Sequence, residues 1–369
     1  MRVVTSLDGL RGLAVAGVLL FHTGHLPGGF LGVDLFFALS GYLITAQLLR
    51  TPDLTLTEFW ERRIRRLFPA LLVLLTVTVL LVWAFGSERL RRTTLTDGPW
   101  AQASLVNWHL LAESAGYWDR FGEPRVFAHL WSIAVEEQFY LGWPVAVLIA
   151  GRRRTGWVAA TGAVVSLLVA VALVDPADPS RVYTGTDTRA FALLLGALAA
   201  AVPVPARTPA AVPSALLAAG IGAAWLLTDD AGDPAGLFLY SLAASALIAL
   251  CVHDERTPVA RALSWRPLRW AGGISYGLYL WHWPVIVLLP PDRAGLDGWA
   301  WTAVVTSVSV GAAMLSKHLV EEPVRFRARW ARGRTGAAVL AAAMLVPAAL
   351  WWLVPEPAPA RVDVTDLPR

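Results

Sequence analysis

Charge is scarce in this sequence. Only 16% of its 369 residues are Asp, Glu, Lys or Arg, where a soluble chain carries about a quarter. Lysine is almost missing: Lys317 is the sole example, so the cations are arginines. Cys251 stands alone, which excludes an intramolecular disulfide and any multi-cysteine metal site. A cleavable leader is not evident either. Asp8 and Arg11 fall where a charge-poor segment would begin, and no small-residue cleavage site follows, so the first apolar stretch reads as a retained span. No internal repeat of the kind that builds inverted-repeat transporters is found.

Hydrophobicity is abundant instead. Some 56% of the residues are hydrophobic, and eighteen are tryptophan. Apolar runs long enough for about 30 Å of hydrocarbon lie at about 10–25, 30–49, 67–86, 130–150, 157–174, 188–202, 212–228, 236–252, 272–290, 299–317 and 337–354. They predict an all-α polytopic membrane protein with eleven spans. Residues 97–111 are too short and polar for a twelfth span, and read as part of an outside-facing loop. With the N-terminus in the cytoplasm, twenty cations fall in inside segments and ten outside. Counting 97–111 as a span would place Arg152, Arg153 and Arg154 outside. Eleven spans with an extracytoplasmic C-terminus is therefore the expected topology. The net charge of +4 comes from arginines beside apolar runs, which fits a lipid bilayer and gives no sign of nucleic acid. A Pro-rich polar tail follows Pro355.

Several polar residues interrupt this hydrophobic background. A helix from Asp8 to His22 places Arg11 and His22, eleven positions apart, on one face and about 16 Å apart along the axis. Ionisable groups on a membrane helix face protein interior or a wet cavity. Neutral imidazole can take a proton near pH 7, so His22 is a candidate general base; the alternative is a helix-end histidine bonded at the interface. Arg11 could hold phosphate, or pair with Asp8 or Asp34. Arg62, Arg63, Arg65 and Arg66 precede a long apolar run; such a cluster can set topology or grip phosphate with planar guanidiniums. In HLWSIAVEEQFYL, residues His129, Ser132, Glu136 and Tyr140 share a helix face. There Glu136 is either a counter-ion or a group that orients the base, and Glu137 points elsewhere. Ser275, Tyr279 and His282 share a face in SYGLYLWHWPV; His282 reads equally as core packing or as part of a site. Asp187 and Arg189 could line an acceptor entrance or form a local surface pair. Ser40 suits helix packing better than an oxyanion donor.

Taken in order, SLDGLRGLAVAGVLLFH, GFLGVDLFFALSGYLIT, FWERRIRRLFPA, HLWSIAVEEQFYLGWP and SYGLYLWHWPV resemble the acyltransferase-3 family of membrane O-acyltransferases. DTRAFALLLGALAA and EEPVR add weaker support. The likeness runs across about 8–325. Arg11 and His22 fit the family's Arg-x10-His pattern, and Arg63 and Arg66 its Arg-x-x-Arg pattern. It implies a ten-helix core over 1–334, with an additional helix and tail over 335–369. That extra helix is similar to members bearing a fused extracytoplasmic SGNH-type domain, which is not seen in this sequence. By resemblance, an acyl group, commonly acetyl, passes from cytoplasmic acyl-CoA to a hydroxyl of a sugar or glycan, with no metal. Arg63 and Arg66 would face CoA, and an acid is kept at Glu136. A bacterial-type inner membrane is the implied location. A transporter or flippase for a glycan or lipid-linked sugar is the rival, since intramembrane Arg, Glu and His also mark substrate paths.

Overall fold

The computed structural model describes residues 4–51, 53–113, 125–175, 177–229, 232–327 and 333–354. Every regular element among them is helical. In chain order they are α1 (Thr5–His22), α2 (Gly32–Arg50), α3 (Leu56–Phe85), α4 (Glu88–Gln102), α5 (Val106–Ala112), α6 (Trp131–Ala150), α7 (Thr155–Ala172) and α8 (Ser180–Thr184). After these come α9 (Thr186–Ala201), α10 (Ala211–Leu227), α11 (Pro234–His253), α12 (Pro258–Leu263), α13 (Arg266–Leu288), α14 (Pro291–Ala294), α15 (Gly298–Ser316) and α16 (Gly333–Leu353). Short 3-10 turns lead into α2 and α6, and π-helical turns extend α15 to Arg327.

The protein is an all-α polytopic membrane protein. Among the described residues, six helical stretches are long and apolar enough to cross a bilayer. Helices suit this solvent because each satisfies its own backbone polar groups. Each apolar run predicted from sequence falls largely on a helix. The boundaries differ: α3 begins at Leu56 and α13 at Arg266, well before their apolar runs. Apolar length marks the hydrocarbon, whereas the helix continues into the polar interface. In α3 the start is set by a capping box in which Thr55 and Glu58 satisfy each other's backbone N–H groups. At about 1.5 Å per residue, its 30 residues span about 45 Å.

The segment 97–111 is not an irregular loop. It belongs to α4 and α5, packed against each other, with α4 also against α3 and α16. Ser87 caps α4 by accepting from the Leu90 N–H, and Ser104 takes the left-handed conformation (φ 58°) between the two helices. The Pro-rich tail from Pro355 lies outside the described residues.

Two close helix pairs form the frame. Helix α1 packs along α13, and α2 along α9. Gly272 of α13 meets the Asp8 carbonyl of α1, and a Cβ there would overlap it. Gly41 and Gly196 do the same for α2 and α9, against the carbonyls of Leu193 and Ala38. Lipid gives little hydrophobic drive for helices to associate, so small residues that admit close backbone approach carry the packing. That proximity sets α1, α2 and α13 around one space, which α3 and α6 complete.

Candidate active site

A cavity, about 680 Å³ with the open solvent at its mouth included, lies between α1, α2, α3, α6 and α13. Arg11 comes from α1, Ser40 from α2, Arg63 and Arg66 from α3, Ser132, Glu136 and Tyr140 from α6, and Ser275, Tyr276 and Tyr279 from α13. Residues far apart in the chain, on five helices, thus share one space. The α3 arginines divide as a helix surface requires. Arg63 and Arg66 line the cavity, Arg62 is exposed, and Arg65 donates to the carbonyls of Val324 and Arg325.

The cavity is cationic. Arg11 has Asp8 at 3.6 Å. Arg63 donates to the Gln47 side-chain oxygen at 3.2 Å and lies over the rings of Tyr140 and Phe59, at 5.3 and 5.5 Å. Glu136 is the carboxylate on the cavity wall, and it accepts from Ser40 at 2.8 Å and from the Tyr140 hydroxyl at 3.0 Å. Three guanidiniums in a low-dielectric space, facing one such carboxylate, favour a polyanion with planar oxygen groups.

At another wall, the Tyr279 hydroxyl donates to the His129 carbonyl at 2.9 Å and accepts from Ser132 at 2.6 Å. Its ring is 5.2 Å from that of His282. His282 bonds His22 at 3.1 Å between Nε2 and Nδ1. His22 also packs against Trp283, at 4.8 Å between ring centroids. The two histidines do not line the cavity; they stand immediately beyond Tyr279. His25, on the turn after α1, stacks on Trp299 at 3.6 Å and bonds Thr302.

Asp187 and Arg189 are not brought to this space, and they do not pair with each other. Arg189 is fully buried, 2.7 Å from Asp34, with the rings of Tyr183, Phe191 and Phe37 at 4.9, 5.6 and 5.9 Å. Its guanidinium is committed to that carboxylate and aromatic cage, which leaves Arg11 with Asp8. Asp187 takes a bidentate bond from Arg181, at 2.9 and 2.6 Å. Adjacent helix positions point about 100° apart, so two residues apart sends one side chain inward and the other to the rim.

Two buried clusters escaped the sequence reading. Asp97 of α4 is held by Arg125 at 2.7 Å and His109 at 3.1 Å; burial nonetheless pushes its carboxyl above the ordinary range. The Arg125 carbonyl accepts from the Trp283 indole at 2.9 Å, so this cluster braces the residue packed against His22. Glu137 is buried and bonded to Ser104, while Gln138 joins the Ser104 carbonyl, Asn107 and Thr186. A signal was available: polar residues dense in 97–109 beside an unassigned Glu137. Without the helices of α4 and α5, that segment looked like solvated loop.

Comparison with known proteins agrees in extent with the helical frame. Residues 4–318 match the family described as an acyltransferase domain. YrhL of Bacillus subtilis (strain 168) is 40% identical over 352 residues, covering 88% of this chain and 55% of that protein. The peptidoglycan O-acetyltransferase OatA of Listeria monocytogenes is 36% identical, covering 88% of this chain and 56% of the relative. The O-acetyltransferase OatA of Staphylococcus aureus (strain NCTC 8325) is 36% identical, with 78% and 51% covered. The chain spans about half the length of these curated relatives. No solved structure matches it.

Proposed function

Starting from a chain that belongs to the acyltransferase-3 family, we propose that it moves an acyl group, acetyl in the first instance, from cytoplasmic acyl-CoA to a hydroxyl of a cell-envelope glycan. The observation that carries this reading is the cavity itself. Arg11, Arg63 and Arg66 converge in it, and its Tyr279 wall touches the His282–His22 pair. Guanidiniums suit the CoA phosphates, with which they can form paired charge-assisted bonds. The acetyl thioester then lies toward Tyr279, and the acceptor hydroxyl meets His22. Peptidoglycan is the acceptor class suggested by the names of the Listeria relative and its kin.

The chemistry needs no metal. His22 takes the proton of the acceptor O–H as the oxygen attacks the thioester carbonyl carbon. The C–S bond then breaks, and the CoA thiolate leaves and recovers the proton from His22. A positioned base of this kind contributes about 10²- to 10⁴-fold. Attack by His22 itself, giving a transient acyl-imidazole, uses the same atoms in two steps, and trapping of labelled enzyme separates the routes. Glu136 holds a negative charge opposite the arginines while CoA is absent. In this reading eleven helices span a bacterial inner membrane, with the N-terminus cytoplasmic and the C-terminus outside. Residues 1–334 hold the catalytic core, and 335–369 the additional span and tail.

Proteoliposomes given radiolabelled acetyl-CoA on the face bearing Arg63, and a soluble glycan acceptor on the other, test the proposal. Label appears on the acceptor with wild-type protein. His22→Ala abolishes transfer while membrane insertion and thermal unfolding stay unchanged. Full activity in that variant removes His22 as the base. Movement of intact sugar without acyl transfer favours a transporter instead.

A further inference from the structure

The contact between His22 and His282 has a consequence for the proton. Nδ1 of His282 lies 2.6 Å from the Tyr279 carbonyl oxygen. A carbonyl oxygen only accepts, so this nitrogen carries the hydrogen. In a neutral ring Nε2 of His282 then holds a lone pair, and its neighbour at 3.1 Å is Nδ1 of His22. The hydrogen in that bond must belong to His22. We infer that His282 is a positioning residue that holds His22 as its Nδ1–H tautomer, so that Nε2 of His22 is the nitrogen that takes the acceptor proton.

This deepens the proposed role of His22 and rests on it. The groups around His282 support a neutral ring. It is buried, and the titratable groups that face it are His22 of α1, His129 before α6 and Tyr279 of α13. No carboxylate bonds it among the described residues. A neutral acceptor in the place where a serine hydrolase puts an aspartate fixes the same tautomer and ring direction. It does so without a negative charge to stabilise imidazolium, and His22 consequently gives its proton up readily to the departing thiolate.

The wild-type protein in bilayers, labelled with ¹⁵N-histidine, gives the direct test. The His22 signals are identified by their loss in His22→Asn. Protonated Nδ1 and bare Nε2 are expected for His22; a protonated Nε2 with bare Nδ1 overturns the inference without any change at His282. Kinetically, His282→Phe lowers kcat about a hundredfold with KM for acetyl-CoA unchanged. His282→Gln, whose amide oxygen can reach the position of the ring nitrogen, restores most of that loss. Should Phe fail to fold, the Gln variant alone must retain kcat within about tenfold, and a larger loss in folded protein counts against the assignment. A folded His282→Phe with full kcat, beside an inactive His22→Ala, refutes the positioning role while leaving the base intact. Activity in His22→Ala removes both.

Discussion

Arg189 and the trio of Arg11, Arg63 and Arg66 are all guanidiniums on membrane helices, yet their surroundings are opposite. Arg189 has a carboxylate at 2.7 Å, three aromatic rings within about 6 Å and no exposure. The trio lines an open cavity with Glu136 as the carboxylate on its wall and Asp8 3.6 Å from Arg11, two acids against three cations. In the first place the cost of burying a cation is offset inside the protein. In the second, positive charge is left over, and an incoming anion completes the balance. Burial alone does not separate a structural arginine from a ligand-binding one. Whether its countercharge is already present does.

The comparison breaks most visibly at Arg189. Arg189→Ala leaves the buried Asp34 carboxylate with the Ser241 hydroxyl but no countercharge, which costs about 3–5 kcal/mol and is read as a lowered unfolding temperature or loss of folded protein in detergent. Arg189→Met combined with Asp34→Leu recovers most of it, because two apolar groups leave no buried charge. If the single variant unfolds like wild type, Arg189 is not the closed ion pair described.

Arg63→Ala and Arg66→Ala sharpen the contrast from the other side. Each weakens CoA binding by about 10- to 100-fold, the worth of a charge-assisted bond, while stability changes by less than about 1 kcal/mol. Titration calorimetry with CoA reads the first quantity and thermal unfolding the second. Arg62→Ala, on the exposed side of α3, moves neither. Equal losses at Arg62 and Arg63 would mean that the cluster acts as diffuse charge and not through the cavity.

A smaller effect tests the frame that holds both sites. Gly41→Ala drives a methyl group into the Leu193 carbonyl, prying α2 from α9 next to Ser40 and two turns from Asp34. An overpacked contact of this kind costs about 1–3 kcal/mol, measurable by unfolding. Gly220, whose added Cβ meets nothing within 4 Å, tolerates Ala with no loss.

Much of this was legible in the chain. Each apolar run became a helix, and the faces grouping Ser132 with Glu136 and Tyr140, or Ser275 with Tyr279, returned as cavity walls. Periodicity fixes which residues of one helix point together, and those inferences needed no partner. The failures share a cause. Arg63 could not be told from Arg62 by pattern, since which side of α3 faces α6 is a matter between helices. Arg189 looked like a neighbour of Asp187, while its partner Asp34 stands 155 positions away. The α4–α5 pair was missed because its polar residues are satisfied by one another and by α6, which hides them from hydropathy.

The sequence by itself determined the class of molecule and the identity of its helices, because hydrocarbon tolerates only backbones that satisfy themselves and apolar length reports where that holds. Tertiary structure alone decided which charge meets which. Asp34 is matched to Arg189, Asp97 to Arg125, and His22 to His282 across 260 positions. In a medium of low dielectric a polar group's behaviour follows from its nearest partner, and helix packing, which no single segment encodes, chooses that partner.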